Sequence, residues 1–299
     1  MKRLRTKKPS QISVVLNAYR RLEHFESQLL AVENQSIAPE KIYVWHNSEA
    51  DSAGALEASS RYTLIRASEN FGVWARFAFA LNIKTPFVCV FDDDTIPGPR
   101  WLENCVESME KIEGVYGARG VIFDSDKFYF PHSDVGWANP NEEITLVDLI
   151  GHCWFLKTEW LHAFWSHPMG SSFSNLAGED MHLAFTLQKL RGIHCFVPPH
   201  PRDNRDLWGN LVANDIGGDS NALSKTDDAY RRMDEYFQYY VQNGWKLIVS
   251  ASDRRRGEIY IGKGVRRHSR LIKWVKKRPM IFRAAKKIFV FLKRLNINI

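Results

Sequence analysis

The sequence predicts an α/β fold in which a mostly parallel sheet is covered by helices on both faces. Apolar runs of strand length alternate with segments of helical periodicity, starting with residues 11–19 and 22–34, and this alternation is typical of parallel sheets. Several of these runs end in polar residues, and the carboxyl ends of parallel strands meet at one edge of a sheet. We therefore expect the functional groups of this 299-residue chain along that edge.

The first half of the chain supplies most of the predicted parallel strands. After the opening strand and helix, strands are expected at 42–45, 62–66 and 87–91, with a helix at 73–83. The last of these strands leads directly into Asp92, Asp93 and Asp94. Three adjacent carboxylates repel one another unless a cation lies among them, and their oxygens suit Mg²⁺ or Mn²⁺. An acidic turn at a strand end is the alternative interpretation.

The second half continues the pattern with longer irregular segments. The sequence predicts helices at 101–112, from 179 onward and at 227–243, and strands at 115–123, 144–155, 195–201 and 245–249. The aromatic segment 128–137 is expected to be irregular.

Composition excludes several classes of protein. The chain is 44% hydrophobic and 25% charged, which is ordinary for a globular protein. Its four cysteines are far apart, so neither a disulfide framework nor a zinc knuckle is expected, and a reducing compartment suits them. No apolar window reaches the roughly 18 residues that a membrane-spanning helix needs.

The net charge of +7 is unevenly distributed. Residues 254–299 contain 16 Lys and Arg against one acidic residue, residues 1–10 contain five basic residues, and residues 11–253 contain 20 basic against 33 acidic residues. An acidic body is a poor nucleic-acid binder, so we expect no nucleic-acid partner. We predict a basic arm (1–10), one domain (11–250) and a basic tail (251–299).

The tail has the pattern of an interfacial helix. Between residues 280 and 295 the apolar side chains recur with helical spacing, and Lys and Arg occupy the other positions. A basic amphipathic helix of this kind binds the surface of an anionic membrane, each base adding about 1 kcal/mol. Docking of the helix on the acidic body or on a protein partner is the alternative.

The order of four motifs resembles the nucleotide-sugar half of GT-A glycosyltransferases, especially family 2. These motifs are Asn17-Ala18-Tyr19-Arg20, Asn47-Ser48, Asn70-x-Gly72 and Phe91-Asp92-Asp93-Asp94. In that family the acidic triplet is the DXD motif, whose last Asp binds a divalent metal that bridges the diphosphate of the donor. The resemblance therefore implies a GT-A fold, a metal site at Asp94 and Asp92 with Mn²⁺ or Mg²⁺, and a UDP-sugar donor.

The same resemblance implies which residues contact the donor. They are Asn17, Tyr19, Asn47, Asn70, Asp92 and Asp93. Arg76 lies off the apolar stripe of the helix before the triplet and is expected to contact the donor diphosphate, with a surface cation as the alternative. Family 2 members more often have Asp where this chain has Asn47. His200 stands where many GT-A enzymes place a late metal ligand, and Trp208 is expected on a lid over the donor. A loop histidine without a ligand role is the alternative for His200.

Gly178-Glu179-Asp180 resembles the Glu-Asp motif of inverting GT-A enzymes. In those enzymes the Asp deprotonates the acceptor hydroxyl, so Asp180 is the expected catalytic base and Glu179 the residue that orients donor or acceptor hydroxyls. Acidic residues at a helix N-terminus also interact favourably with the helix dipole, and a capping role is the alternative. His152 is expected either beneath the donor sugar or as an interior histidine.

These expectations define a function and two alternatives. The expected function is that of a metal-dependent, inverting transferase that acts on a glycan or glycolipid acceptor in the assembly of cell-surface polysaccharide or lipopolysaccharide. We expect the enzyme in the cytoplasm, on the inner face of the membrane. Local similarity of Val44-Trp45-His46-Asn47 and of residues 147–151 to exostosin-type transferases makes a retaining enzyme the first alternative. A non-catalytic, basic-tailed binding protein for nucleic acid or a partner is the second.

Overall fold

The computed structural model describes residues 11–19, 21–47, 56–170, 173–212, 216 and 229–249. The chain divides into two compact units, residues 1–264 and 265–299, and the described residues all belong to the first. The basic arm, Arg20, Ser48 and the predicted interfacial helix lie outside the described residues.

Eleven strands are present among the described residues. In chain order they are β1 (Ile12–Ala18), β2 (Lys41–His46), β3 (Thr63–Arg66), β4 (Phe87–Phe91), β5 (Val115–Tyr116), β6 (Arg119–Phe123), β7 (His132–Gly136), β8 (Thr145–Val147), β9 (Leu149–Gly151), β10 (Cys153–Lys157) and β11 (Cys195–Val197). Eight of them form one sheet in the order β3-β2-β1-β4-β10-β5-β11-β8, and β7-β6-β9 form a smaller sheet.

The parallel part of the large sheet lies where the sequence predicts it. Strands β3, β2, β1 and β4 are all parallel, and Leu16 of β1 pairs with Phe91 of β4. The carboxyl ends of β1 and β4 are therefore level with each other. Strand β10 is antiparallel to both β4 and β5, so the second half of the sheet is mixed. The predicted α/β fold class is confirmed.

Six α-helices accompany the sheets in the described part of the chain. They are α1 (Phe25–Glu33), α2 (Ala75–Ala80), α3 (Trp101–Lys111), α4 (Leu161–Trp165), α5 (Glu179–Arg191) and α6 (Ala229–Gln242). Helix α1 buries Phe25, Leu29 and Val32, whose spacing of four and three residues keeps them on one face. None of the described helices is both long and apolar enough to cross a membrane.

Several predicted elements are wrong in the second half. The predicted strand 115–123 is two strands in different sheets, β5 and β6, with Gly117 and Ala118 between them. A Cβ at Gly117 would lie 2.5 Å from Ile150. The segment 128–137, which was predicted to be irregular, contains strand β7. The single strand region predicted at 144–155 consists of the three strands β8, β9 and β10. Asp148 separates β8 from β9 by accepting hydrogen bonds from the N–H groups of Phe123 and Ile248.

Two helical predictions and the last strand also need correction. Helix α2 is shorter than predicted, and α4 was not predicted. Residues 245–249 are not a strand. The apolar side chains of that segment pack against helix α6 instead. Trp245 is buried, and its ring centre lies 6.1 Å from that of Phe237 on α6.

Candidate active site

The acidic triplet lies in a tightly bound loop at the carboxyl end of β4. Gln28 of α1 is buried, and its Nε2 donates hydrogen bonds to the carbonyl oxygens of Asp92 (2.6 Å) and Thr95 (2.7 Å). The backbone N–H of Asp92 and the hydroxyl of Thr95 both donate to the carbonyl oxygen of His152, each at 3.0 Å. Helix α1 and the β9–β10 turn therefore fix the position of the triplet.

His152 brings an imidazole to the triplet. Ligand atoms of Asp92, Asp94 and His152 all lie within 4.8 Å of one another. The backbone of His152 is left-handed at φ 68°, which is rare for a residue other than glycine and is typical of functional sites. Its Nδ1 is buried without a hydrogen-bond partner and lies 3.4 Å from Oδ1 of Asp94. Two carboxylates and an orphaned imidazole nitrogen are a donor set that fits a divalent cation, so these three residues could hold a metal.

Two arginines neutralise part of the acidic charge. Arg21 lies 2.8 Å from Oδ1 of Asp93 and 3.6 Å from Oδ2 of Asp94. Arg76 is only 2% exposed and pairs with Asp92 at 2.7 Å and Glu179 at 2.9 Å. Arg76 was predicted to meet the donor diphosphate, but its guanidinium is engaged by protein carboxylates. Arg21 was not predicted, although a basic residue just after the Asn17-Ala18-Tyr19 strand end is a signal in retrospect.

The second acidic motif opens helix α5. Gly178 precedes the helix with φ 85°, and a Cβ there would lie 2.5 Å from Tyr236, so glycine is required. Asp180 accepts a hydrogen bond from the backbone N–H of Met181 at 2.7 Å. Asp180 does not cap the helix, because the N-cap residue is Gly178 and no side chain accepts a capping hydrogen bond there. Its first-turn carboxylate can interact with the helix dipole, and it lines a cavity.

That cavity brings the two acidic motifs together. It has a volume of about 230 Å³ and is lined by Asp92, Gly151, His152, Glu179 and Asp180 on its acidic side, and by Arg119, Val121, Tyr129, Leu149 and Trp154 elsewhere. No spacing pattern pointed to Tyr129, which lies in a segment predicted to be irregular. A ligand in this cavity would contact the triplet and the Glu-Asp motif at once.

Burial changes the ionisation of these acids. It raises the pKa of Asp92 and of Glu179 to about 7 each, although Arg76 opposes the change in both. Burial also raises the pKa of Asp180 to about 6, against the hydrogen bond from Met181. For Asp94 the effect of burial is outweighed by His152 and Arg21, which hold its pKa below the usual value. The pKa of Asp93 is raised by burial.

The residues predicted to bind the nucleoside meet at the edge beside β1 and β2. Nδ2 of Asn70 donates to the hydroxyl of Tyr19 at 2.9 Å, and Nδ2 of Asn47 donates to Oδ1 of Asn70 at 2.8 Å. Asn47 is only 4% exposed, and its Oδ1 accepts the N–H of Phe71. Its amide therefore orders the loop at residues 70–72 and is not presented to a base. Asn17 lies near the carboxyl end of β1, beside Trp45 of β2.

The structure does not bring His200 to the acidic cluster. His200 is fully buried, its Nδ1 donates to the carbonyl oxygen of Pro198 at 2.9 Å, and its Nε2 accepts the N–H of Gly209 at 3.1 Å. Burial lowers its pKa to about 4. Both ring nitrogens are engaged by the backbone, so the predicted metal role is replaced by a structural one.

Trp208 is likewise bound to its own loop. Its Nε1 donates to the carbonyl oxygen of Pro201 at 2.8 Å, and it does not line the cavity. The loop that contains Trp208 and Asn210 nevertheless binds the triplet, because Nδ2 of Asn210 donates a hydrogen bond to the carbonyl oxygen of Asp94 at 3.2 Å. Trp208 is therefore not placed as a lid over the described site.

The fold and the cavity together define an α/β enzyme with two acidic motifs at the carboxyl edge of a parallel sheet. The family model of glycosyl transferase family 2 matches residues 13–165, about half of the chain. The chain belongs to this family and is a glycosyltransferase with a GT-A-type fold. No curated protein matches the sequence. The match covers Asp92, Asp94 and His152, whereas Glu179 and Asp180 lie beyond it.

Proposed function

We propose that this enzyme transfers one sugar from a nucleotide-sugar donor, with UDP as the expected nucleotide, to a hydroxyl of a glycan or glycolipid. The cavity that contains Asp92, His152, Glu179 and Asp180 is the observation that carries the proposal. A departing diphosphate needs positive charge, and an acceptor hydroxyl needs a base. Asp92 and His152 could help to hold a cation that supplies this charge, and Asp180 could supply the base, around one space of about 230 Å³.

A divalent cation, Mn²⁺ or Mg²⁺, suits the triplet side of the cavity. Asp94, Asp92 and His152 would bind it, and when bound it supplies charge that neutralises the departing diphosphate. Charge supports this assignment. Among the described residues the site contains five carboxylates, from Asp92, Asp93, Asp94, Glu179 and Asp180, and the arginines that pair with them there are Arg21 and Arg76.

Asp180 is the proposed base and Glu179 the residue that orients substrate hydroxyls. A pKa of about 6 keeps Asp180 ionised at neutral pH while leaving it basic enough to accept a proton. A carboxylate base on the acceptor implies inversion at the anomeric carbon. Proton NMR of the initial product tests this assignment: an inverted anomer supports it, whereas an unchanged anomer would refute the base assignment in favour of a retaining enzyme.

We further propose that the domain 11–250 is brought by residues 251–299 to the cytoplasmic face of a membrane, where lipid-linked acceptors of polysaccharide or lipopolysaccharide assembly are found. The excess of Lys and Arg in residues 254–299 supports this localisation. Flotation of the full chain with vesicles tests it. Binding to phosphatidylcholine vesicles only when phosphatidylglycerol is added is the expected result, and equal recovery with neutral vesicles would contradict it.

The non-catalytic alternative makes a different prediction about nucleic acid. A basic-tailed binding protein would bind RNA with an affinity that falls steeply with salt. We expect such binding to be weak, because the body is acidic. Tight, salt-dependent RNA binding without any effect of Mn²⁺ or UDP would favour the alternative.

A further inference from the structure

The guanidinium of Arg76 is the direct link between the two acidic motifs. Arg76 lies on α2, and its two terminal nitrogens contact Asp92 at 2.7 Å and Glu179 at 2.9 Å. The second partner is 103 residues away in sequence. One side chain therefore joins the loop after β4 to the first turn of α5.

The position of this guanidinium is itself fixed by packing. Its central carbon lies 4.8 Å from the ring centre of Trp154 and 5.4 Å from that of Phe77. Trp154 pairs with Val90 in the register of β10 and β4, so the stacking partner is part of the sheet that carries the triplet. Arg76 is only 2% exposed, which leaves it little freedom to turn toward a ligand.

A role in stability alone does not account for this arrangement. A buried ion pair recovers little more than its desolvation cost, and apolar residues of similar volume often replace one without loss of stability. A guanidinium that contacts two carboxylates does determine where both of them lie, because its nitrogens form a rigid planar fork. Without it, the carboxylate side chains of Asp92 and Glu179 would lose the partner that they share.

We propose that Arg76 is a positioning residue that sets the geometry between the metal-binding triplet and the helix of the base. The inference rests on the proposed function. Arg76 acts through Asp92 and Glu179, which line the cavity, whereas Arg76 does not line it. It aligns the leaving group with the attacking hydroxyl, and a displacement of about 1 Å in such a site costs on the order of 100-fold in rate.

Replacement of Arg76 by Met tests this role. We expect kcat to fall on the order of 100-fold with UDP-glucose, UDP-galactose or UDP-N-acetylglucosamine, whichever the wild type uses. Calorimetric Kd values for Mn²⁺ alone and for UDP with Mn²⁺ should stay within about threefold or tighten, because a cation beside Asp92 has been removed. Arg76→Lys keeps the positive charge but lacks the planar fork of the guanidinium. Its kcat should therefore lie between those of the wild type and of Arg76→Met.

Arg61 offers a matched control, because it also contacts two acids, Glu26 and Glu33, but on the surface. Arg61→Met should leave kcat unchanged. An unchanged kcat in Arg76→Met, or a loss of UDP binding as large as the loss of kcat, would overturn the inference. If the wild type binds neither Mn²⁺ nor UDP, the proposed function fails first.

A double variant covers the case in which Arg76→Met does not fold, since it leaves two buried acids unpaired. In a Glu179→Gln background one of those charges is absent. If Arg76 acts through Glu179, adding Arg76→Met to this background should lower kcat much less than tenfold. A full 100-fold further loss would show that the two side chains act independently, and the inference would be wrong.

Discussion

Nδ1 of His152 lies 3.4 Å from Oδ1 of Asp94, beside the antiparallel strands β4 and β10. Asp94 lies in the turn after β4, and His152 is the single residue between β9 and β10. A left-handed backbone at His152 keeps its ring beside the triplet. This pair is the core of the proposed metal site.

Asp94→Asn should abolish the effect of metal. The substitution keeps the shape of the side chain but removes the charge that a hard cation requires. We expect transfer to fall by about 100-fold or more and the Kd for Mn²⁺ to rise at least tenfold. Initial rates and Mn²⁺ titration measure both quantities. Asp126→Asn, at an exposed position, is the control, and equal effects of the two variants would argue against a metal at Asp94.

His152→Ala and His200→Ala should separate a ligand from a structural histidine. We expect His152→Ala to weaken Mn²⁺ binding by about 10–100-fold with little loss of stability. His200→Ala should leave Mn²⁺ binding unchanged and lower the free energy of unfolding by about 1–3 kcal/mol, because the N–H of Gly209 and the carbonyl of Pro198 lose their partner. If His200→Ala weakened Mn²⁺ binding in the titration, and His152→Ala affected only the free energy of urea unfolding, His200 and not His152 would be the metal ligand.

Activity should decrease in acid because Asp180 must be ionised to act as a base. With its pKa raised to about 6 by burial, kcat/KM should fall toward tenfold per pH unit as the pH drops below that value. A pH–rate profile measures this. A profile that is flat down to pH 4.5 would show that another group accepts the proton.

The same pKa predicts the pH dependence of stability. The pKa of Asp180 rises from 3.8 to about 6 on folding, so the wild type loses stability as pH rises through that interval. Asp180→Asn carries no charge at any pH and can still accept the N–H of Met181. It should be inactive, and more stable than the wild type at pH 8 in metal-free urea unfolding. The difference in the free energy of unfolding between Asp180→Asn and the wild type should vanish below pH 4. A less stable variant at pH 8 would contradict the desolvation of Asp180.

Gln28→Leu should loosen the triplet loop. The buried amide donates to two carbonyl oxygens, and their loss as partners should cost about 2 kcal/mol in urea unfolding. Gln238 on α6 also donates to two carbonyls, those of Asp126 and Lys127, but it is only half-buried and its hydrogen bonds are exposed to solvent. Gln238→Leu should cost less than about 0.5 kcal/mol. Equal costs would show that Gln28 contributes nothing particular to the loop.

The sequence predicted the parallel half of the sheet and both acidic motifs because each is a local signal. An apolar run followed by Asp92, Asp93 and Asp94 places carboxylates at a strand end in any parallel sheet. His152 could not be assigned in this way, because its role depends on a turn between two strands of different sheets. The misassignment of His200 has the same cause, since one histidine in a loop has no spacing to test.

Arg76 and Asn47 illustrate a second limit. Their residue types and positions at the carboxyl edge suggested ligand contacts, whereas the structure shows that each is bound to protein groups. Whether a polar side chain faces a ligand or supports a neighbouring loop depends on contacts between segments far apart in sequence. Such contacts leave no periodic pattern.

The central claim is that Asp94 is part of a metal-dependent site for a nucleotide sugar. Isothermal titration of UDP into the full chain, with Mn²⁺ and then with excess EDTA, tests it most directly. We predict binding with Mn²⁺ that is lost with EDTA and absent in Asp94→Asn. Binding of UDP that is the same with Mn²⁺, with EDTA and in Asp94→Asn would contradict the account.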